Sequence, residues 1–338
     1  MKTLYKDFYK KKDVLITGGM GFIGSALAHR LIKLRAKVTI VDSMIPQYGG
    51  NLFNIQEFRD KVTVNFSDVR DPYAMNYLVH GRDIIFNMAG TLSHIDSMRD
   101  PHTDLEINCR SQLSLLESCR KYNPRVKILY AGTRNQYGKA QYLPVDEKHP
   151  MSPTDVNGIN CIAGEWYHIL YNNVYGIRAC SIRMVNCYGP RHQMKHPRQG
   201  VLNWFIRQVL DGEQVRLFGG GEQIRDCNFV DDVVEAFLIA GASRKADGQV
   251  FNLGGTPVSL KDFVEKVIEI YGRGKYKSVP FPKNRKMIEV GDFVGDYSKI
   301  KNTLGWEPRV SLGEGIKNTL DFYKKYRRYY WKKDEVLD

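Results

Sequence analysis

Residues 14–24 read Val-Leu-Ile-Thr-Gly-Gly-Met-Gly-Phe-Ile-Gly, an apolar run that breaks into glycines at 18, 21 and 24. No other stretch restricts the fold as much. The apolar run suits a strand covered on both faces. The glycines suit a tight turn, contact between backbone and pyrophosphate, and close packing of the next helix on the strand. That helix begins at once, so its free N–H groups and positive dipole end face the phosphates. A second strand ends at Asp42, eighteen residues after Gly24. An acid there accepts hydrogen bonds from both ribose hydroxyls and repels a 2′-phosphate, which favours NAD over NADP. The third strand ends in Asp68-Val69, where a side chain can reach the adenine edge, or where Asp68 can equally cap a helix.

The rest of the first half continues this alternation. Strand patterns fall at 14–17, 38–41, 62–66, 84–87 and 127–131, and helical patterns at 22–34, 72–79, 103–121 and 157–174. A further strand is expected over 179–184. The rhythm predicts an α/β fold: a Rossmann-type doubly wound parallel sheet with helices on both faces. After residue 186, loops rich in Gly, Pro, Arg and His surround helical patterns at 201–211, 230–242 and 259–271 and a strand at 250–253. The expected organisation is a nucleotide-binding domain over 13–186 and a smaller, interleaved C-terminal substrate-binding lobe over 187–323. A basic arm, 1–12, and a basic tail, 324–338, flank them.

Composition excludes several classes. Of 338 residues, 43% are hydrophobic and 26% charged, which is neither disordered nor fibrous. No apolar stretch reaches the ~18–20 residues of a membrane span, and the Lys-rich start lacks the apolar core of a signal peptide. The six cysteines form no CxxC pair or Cys/His cluster, so neither zinc nor a disulfide framework is indicated and a cytoplasmic location is expected. Net charge is +13, but residues 1–12 carry +4 and 324–333 carry +6. The ends could meet an anionic surface, with aromatic residues stacking on bases or lying at a membrane interface. The reading preferred is a solvated terminal helix and a loose arm, with no nucleic-acid partner.

Beyond the glycine turn, ordered matches run from about 13 to 323. They include Asn87-Met88-Ala89-Gly90, Ser93-His94, Asp100-Pro101, Asn108, Thr133, Tyr137-Gly138, the segment from Arg183 to Arg191, Arg225-Asp226 and Leu304-Gly-Trp-Glu-Pro308. The sequence resembles the extended short-chain dehydrogenase/reductases, specifically the nucleotide-sugar epimerases and dehydratases. The resemblance implies NAD held by Gly18, Gly21, Phe22, Ile23, Gly24, Asp42, Asp68, Val69, Met88, Ala89, Gly90 and Asn108. It implies a nucleoside-diphosphate sugar contacted by His94, Asn186, Arg191 and Arg225. The last is a guanidinium suited to clamp a diphosphate. It also implies a homodimer built on the helices at 103–121 and 157–174, with Ile162, Trp166, Ile169 and Leu170 spaced for such an interface or for the core.

One part of the pattern is missing. That family places a Tyr and, four residues on, a Lys on one helix face. Anchored on Ala163-Gly164-Glu165, these positions hold Asn157 and Cys161. Asn exchanges no proton near neutral pH, and Cys supplies no fixed positive charge. Three alternatives stand. Cys161, Tyr137, Asp155 or His94 supplies the base; or Thr133 orients a substrate hydroxyl that Asn157 hydrogen-bonds; or redox chemistry is lost. Arg134 and Asn135 stand where the resemblance places the acidic pair of the 4,6-dehydratases, which disfavours elimination. The expectation is an NAD-dependent epimerase acting through a transient keto intermediate, with Thr133, Asn157, Cys161 and Tyr137 as catalytic candidates. The alternatives are a dehydratase or reductase of the same family, or a redox-silent nucleotide-binding protein.

Overall fold

The computed structural model describes residues 5, 7–45, 47–286 and 288–332. In chain order it begins β1 (Asp13–Thr17), α1 (Phe22–Lys33), β2 (Lys37–Val41), β3 (Val62–Asn65), α2 (Pro72–Leu78), β4 (Ile84–Asn87), α3 (His94–Arg99) and α4 (Pro101–Leu105). A π-helical turn, Glu106–Arg110, leads into α5 (Ser111–Tyr122), β5 (Lys127–Thr133), α6 (Val156–Tyr175), β6 (Arg178–Met184) and β7 (Asn186–Tyr188). Then come α7 (Val201–Asp211), β8 (Gln214–Phe218), β9 (Ile224–Phe229), α8 (Val230–Ala242), β10 (Val250–Asn252) and β11 (Thr256–Ser259). The chain finishes with α9 (Leu260–Tyr271), β12 (Lys275–Val279), α10 (Lys283–Lys286), α11 (Ser298–Leu304) and α12 (Leu312–Tyr326).

Seven strands form one sheet in the order β10-β6-β5-β4-β1-β2-β3, with every neighbouring pair parallel. Its strands are nearly continuous apolar runs because helices cover both faces: Val14, Leu15, Ile16, Ile84, Ile85, Phe86, Ile128 and Leu129 are all buried. The chain leaves β1 toward β2 and β3, then returns to place β4 on the other side of β1. That reversal opens a crevice at the carboxyl ends of β1 and β4, where Thr17 lies level with both Val41 and Asn87. A three-stranded sheet, β11-β9-β7, and a strand pair, β12-β8, accompany the seven-stranded one, and β7 begins just beyond the carboxyl end of β6. Strand β10 returns to the edge of the main sheet beside β6.

The helix expected over 103–121 is interrupted. The π-helical turn at Glu106–Arg110 separates α4 from α5 and carries Asn108 inward. Such a turn is frequent at functional sites.

The chain ends are not the loose arm and solvated helix that the sequence suggested. Tyr9 is fully buried and donates to the Leu238 carbonyl at 2.7 Å, while Tyr5 hydrogen-bonds Glu235. At the other end Tyr330 donates to Asn54 at 2.6 Å and Trp331 to Asp211 at 2.9 Å, and both rings are buried. Aromatic residues between the lysines and arginines supply the reason: they bury large apolar area while the charged heads remain at the surface. Residues 1–4 and 6 of the arm and 333–338 of the tail lie outside the described residues.

Candidate active site

The nucleotide half of the site is assembled by the glycine turn. Gly18 has φ of 63°, and a Cβ there would lie 3.0 Å from Ala89 and the Met88 carbonyl. A Cβ on Gly24 would come within 2.3 Å of the Gly18 carbonyl, so α1 can approach the turn only without one. Gly21 caps α1 with no side chain hydrogen-bonded to its first turn, and that turn carries no acidic residue. These N–H groups and the helix dipole therefore face the crevice unopposed by a protein anion.

Asp42 stands at the end of β2. Its two oxygens accept the N–H groups of Met20 and Met44, each at 2.9 Å. Burial raises its carboxyl, and those two N–H groups oppose the rise. Asp68 also lines the crevice. It caps no helix; its carboxylate is held by Arg70 at 2.7 and 3.0 Å. All twelve residues expected at the cofactor line one cleft. Asn108 takes part indirectly, because its amide is spent on Thr91: it donates to the Thr91 carbonyl at 3.1 Å and accepts the Thr91 N–H at 3.0 Å. Sequence reasoning missed Tyr48, Leu92, Met184 and Gln199 on the same walls, because they come from loops and strand ends without a repeating pattern.

The four catalytic candidates separate. Cys161 lines the inner end of the cleft, but burial, reinforced by Asp104 and Asp155, pushes its thiol far above the ordinary range. Among the described residues no cation is set to stabilise a thiolate there, which argues against Cys161 as the base. Asn157 is fully buried; its amide donates to the Thr91 carbonyl at 2.7 Å and to Asp104 at 2.9 Å. Those bonds leave it a structural link rather than a substrate contact. Tyr137 is likewise enclosed: it donates to Asn252 at 2.6 Å and accepts from Arg183 at 2.5 Å, and burial pushes its hydroxyl up to about 12. Arg183 in turn forms a buried pair with Glu165, whose second oxygen accepts the Ser181 hydroxyl at 2.6 Å. Thr133 ends β5 two residues after Ala131, a cleft-wall residue, and so continues the same strand face. Its hydroxyl oxygen accepts the Asn135 N–H at 3.2 Å, leaving the O–H free to donate.

What the structure adds is a pair far apart in sequence. His94, at the start of α3, hydrogen-bonds through Nδ1 to Asp155, the residue capping α6. Asp155 also accepts the Gly158 N–H at 2.9 Å. Burial works against its charge, but His94 and the helix N–H groups outweigh burial and hold the carboxyl below the usual range. In the neutral imidazole, a carboxylate facing Nδ1 favours the tautomer with the proton on Nδ1 and the lone pair on Nε2.

On the substrate side Asn186 accepts from Arg134 Nε at 3.2 Å. Arg225 binds Glu289 at 2.5 Å and the Gly291 carbonyl at 2.7 Å. Arg191 is not beside it. The chain turns sharply at Arg191 (φ 74°), and its guanidinium lies over the Phe322 ring, 3.9 Å from Glu57, in a second cavity with Lys195, Tyr329 and Tyr330. There the side chain meets the C-terminal tail.

Residues 14–254 match the profile of the NAD dependent epimerase/dehydratase family. The chain belongs to this family. A putative UDP-glucose 4-epimerase of Methanocaldococcus jannaschii is 33% identical over 330 residues, spanning 93% of this chain and 99% of that protein. Among solved structures, the UDP-glucose 4-epimerase of Thermotoga maritima, determined with UDP-glucose, matches with a TM-score of 0.84 at 33% identity, covering 93% of this chain and 99% of that one. The UDP-glucose 4-epimerase of Thermus thermophilus, determined with NAD, matches with a TM-score of 0.83 at 28% identity, covering 93% and 99%. The cofactor of this family member is NAD, and the cleft fits it. Gly18, Gly21 and the bare start of α1 suit the pyrophosphate, and Asp42 suits the ribose diol. Ala131, Met184 and Cys161 line the far end, which suits the nicotinamide.

Proposed function

We propose that the protein is an NAD-dependent epimerase of a nucleoside-diphosphate sugar, with His94 as the proton acceptor in place of the missing Tyr. NAD, when bound, supplies a hydride acceptor that later returns the hydride to the opposite face of the ring carbon. Thr133 donates its O–H to the reacting sugar oxygen and fixes its orientation. His94 Nε2 takes the hydroxyl proton as the C–H bond is broken, and gives it back when the keto intermediate is reduced. Asp155 is a positioning residue: it holds the tautomer and stabilises the imidazolium. Asn186 and Arg225 border the diphosphate. The observation that carries this reading is the His94–Asp155 pair at the start of the helix whose Cys161 lines the cofactor cleft.

Purified protein tests it directly. Denaturation should release NAD, and UDP-glucose or another sugar nucleotide of a panel should be converted to its epimer, read by NMR. His94→Gln should retain NAD and lose about 10²–10⁴-fold in kcat. Retained NAD with no sugar nucleotide oxidised by the wild type would mean a redox-silent protein and sink the proposal.

We also propose a homodimer formed through the outward face of α6. Ile159, Trp166, Leu170 and Val174 share that face and are half exposed or more, whereas Ile169 points into the core. Trp166→Asp should convert the dimer to a monomer in sedimentation. The six unpaired thiols support a cytoplasmic location.

A further inference from the structure

Arg134 occupies the turn directly after Thr133 and is only 8% exposed. Its guanidinium lies over the Phe293 ring, 5.1 Å from the centroid, and its Nε is used by Asn186. Its Nη1 is buried and has no hydrogen-bond partner among the described residues. The charged groups facing it are Arg225, Glu289, Asp226 and Asp155. None of the three carboxylates forms a hydrogen bond or ion pair with its guanidinium among the described residues, and two of them are engaged by other cations. Glu289 holds Arg225 at 2.5 Å, Asp226 accepts the N–H groups of Gly255 and Gly295 at 2.7 and 2.9 Å, and Asp155 holds His94. A buried cation without its own anion is costly, and burial beside Arg225 pulls Arg134 down to about 9. The cost is removed if the ligand brings the anion.

We propose that Arg134 is a subsite for a carboxylate on the sugar, so that the substrate is a nucleoside-diphosphate sugar acid, a uronic acid rather than a neutral hexose. The inference rests on the nucleotide-sugar reading above. Two placements assign the anion to the sugar and not to the diphosphate. Arg134 is adjacent in sequence to Thr133, which holds the reacting hydroxyl, and it lies within reach of the charge of Asp155 in the acid–base pair. Arg225, on β9, is left to meet the diphosphate. A guanidinium suits this task, since its planar fork matches a carboxylate.

Calorimetric titration of the NAD-loaded protein with UDP, UDP-glucose and UDP-glucuronate tests the assignment. The wild type should bind UDP-glucuronate about 10–100-fold more tightly than UDP-glucose. Arg134→Met, which keeps the volume and removes a buried charge, should erase that preference, weakening UDP-glucuronate far more than UDP or UDP-glucose. Arg134→Lys should restore part of it. Equal binding of the acid and the neutral sugar by the wild type would overturn the inference while leaving the nucleotide-sugar reading intact. So would an Arg134→Met variant that loses UDP as severely as UDP-glucuronate, which would make Arg134 a diphosphate ligand. Absence of binding by all three probes would overturn both readings.

Discussion

Cys161 occupies the position at which the family sequence pattern puts a cation, and its chemistry is set by burial. It is 3% exposed, and both desolvation and the nearby negative charge of Asp104 and Asp155 favour the neutral thiol. Cys161→Ser should therefore keep kcat within about threefold, and the native thiol should resist iodoacetamide near pH 8. Rapid alkylation with loss of turnover would instead return Cys161 to the list of proton acceptors. At this scale the residues that line the cleft were legible because the glycine spacing and Asp42 each answer a local steric or electrostatic demand. The pairing of His94 with Asp155 was not. His94 and Asp155 stand 61 residues apart, and only the fold joins them. The enclosure of Tyr137 was hidden for a related reason: its sequence neighbours say nothing of Arg183 and Asn252, which bond its hydroxyl.

Elements divide along similar lines. The strands of the main sheet were legible, since strands covered on both faces must be apolar throughout. Three strands of the smaller sheets read Ile-Arg-Asp-Cys-Asn-Phe, Thr-Pro-Val-Ser and Lys-Tyr-Lys-Ser-Val, too polar to stand out as strands. The C-terminal tail was legible as charge and invisible as packing. Tyr329 stacks on Phe53 at 3.9 Å, Tyr330 donates to Asn54, and Asn54 donates to the Met20 carbonyl at 2.9 Å. Met20 in turn gives its N–H to Asp42. The tail is thus wired to Asp42, the carboxylate at the end of β2 that lines the cleft. Tyr330→Phe keeps the ring and removes one partner from a buried amide, which should lower stability by about 1–3 kcal/mol. It should also speed the release of NAD, followed by stopped flow. A stability loss with unchanged release would show that the tail only packs.

At the scale of the whole molecule, two of the buried imidazoles, His168 and His192, tie stability to pH most strongly. His168 stacks on Tyr130 and hydrogen-bonds the Gly164 carbonyl at 2.7 Å; His192 lies edge-on to Phe22 beside the cleft. Burial lowers both from 6.5 to about 4. Each is neutral in the folded chain and takes up a proton once exposed. Between about 6.5 and 4 the unfolded chain therefore binds more protons, and stability rises with pH. The contribution is complete above 6.5 and is lost as pH falls toward 4. Asp226 works in the opposite sense: burial raises it to about 6, so the folded chain binds the extra proton between 3.8 and 6. The absolute slope is thus a balance, and the informative quantity is a difference between two proteins. His168→Gln replaces one titrating ring by a neutral amide and leaves His192 and Asp226 in place. The stability difference, wild type minus variant, should shrink by about 1.4 kcal/mol per pH unit between pH 6 and 4.5 in urea denaturation. A difference that stays constant with pH would mean that His168 is already protonated in the folded protein, and that the stack on Tyr130 accommodates a charge.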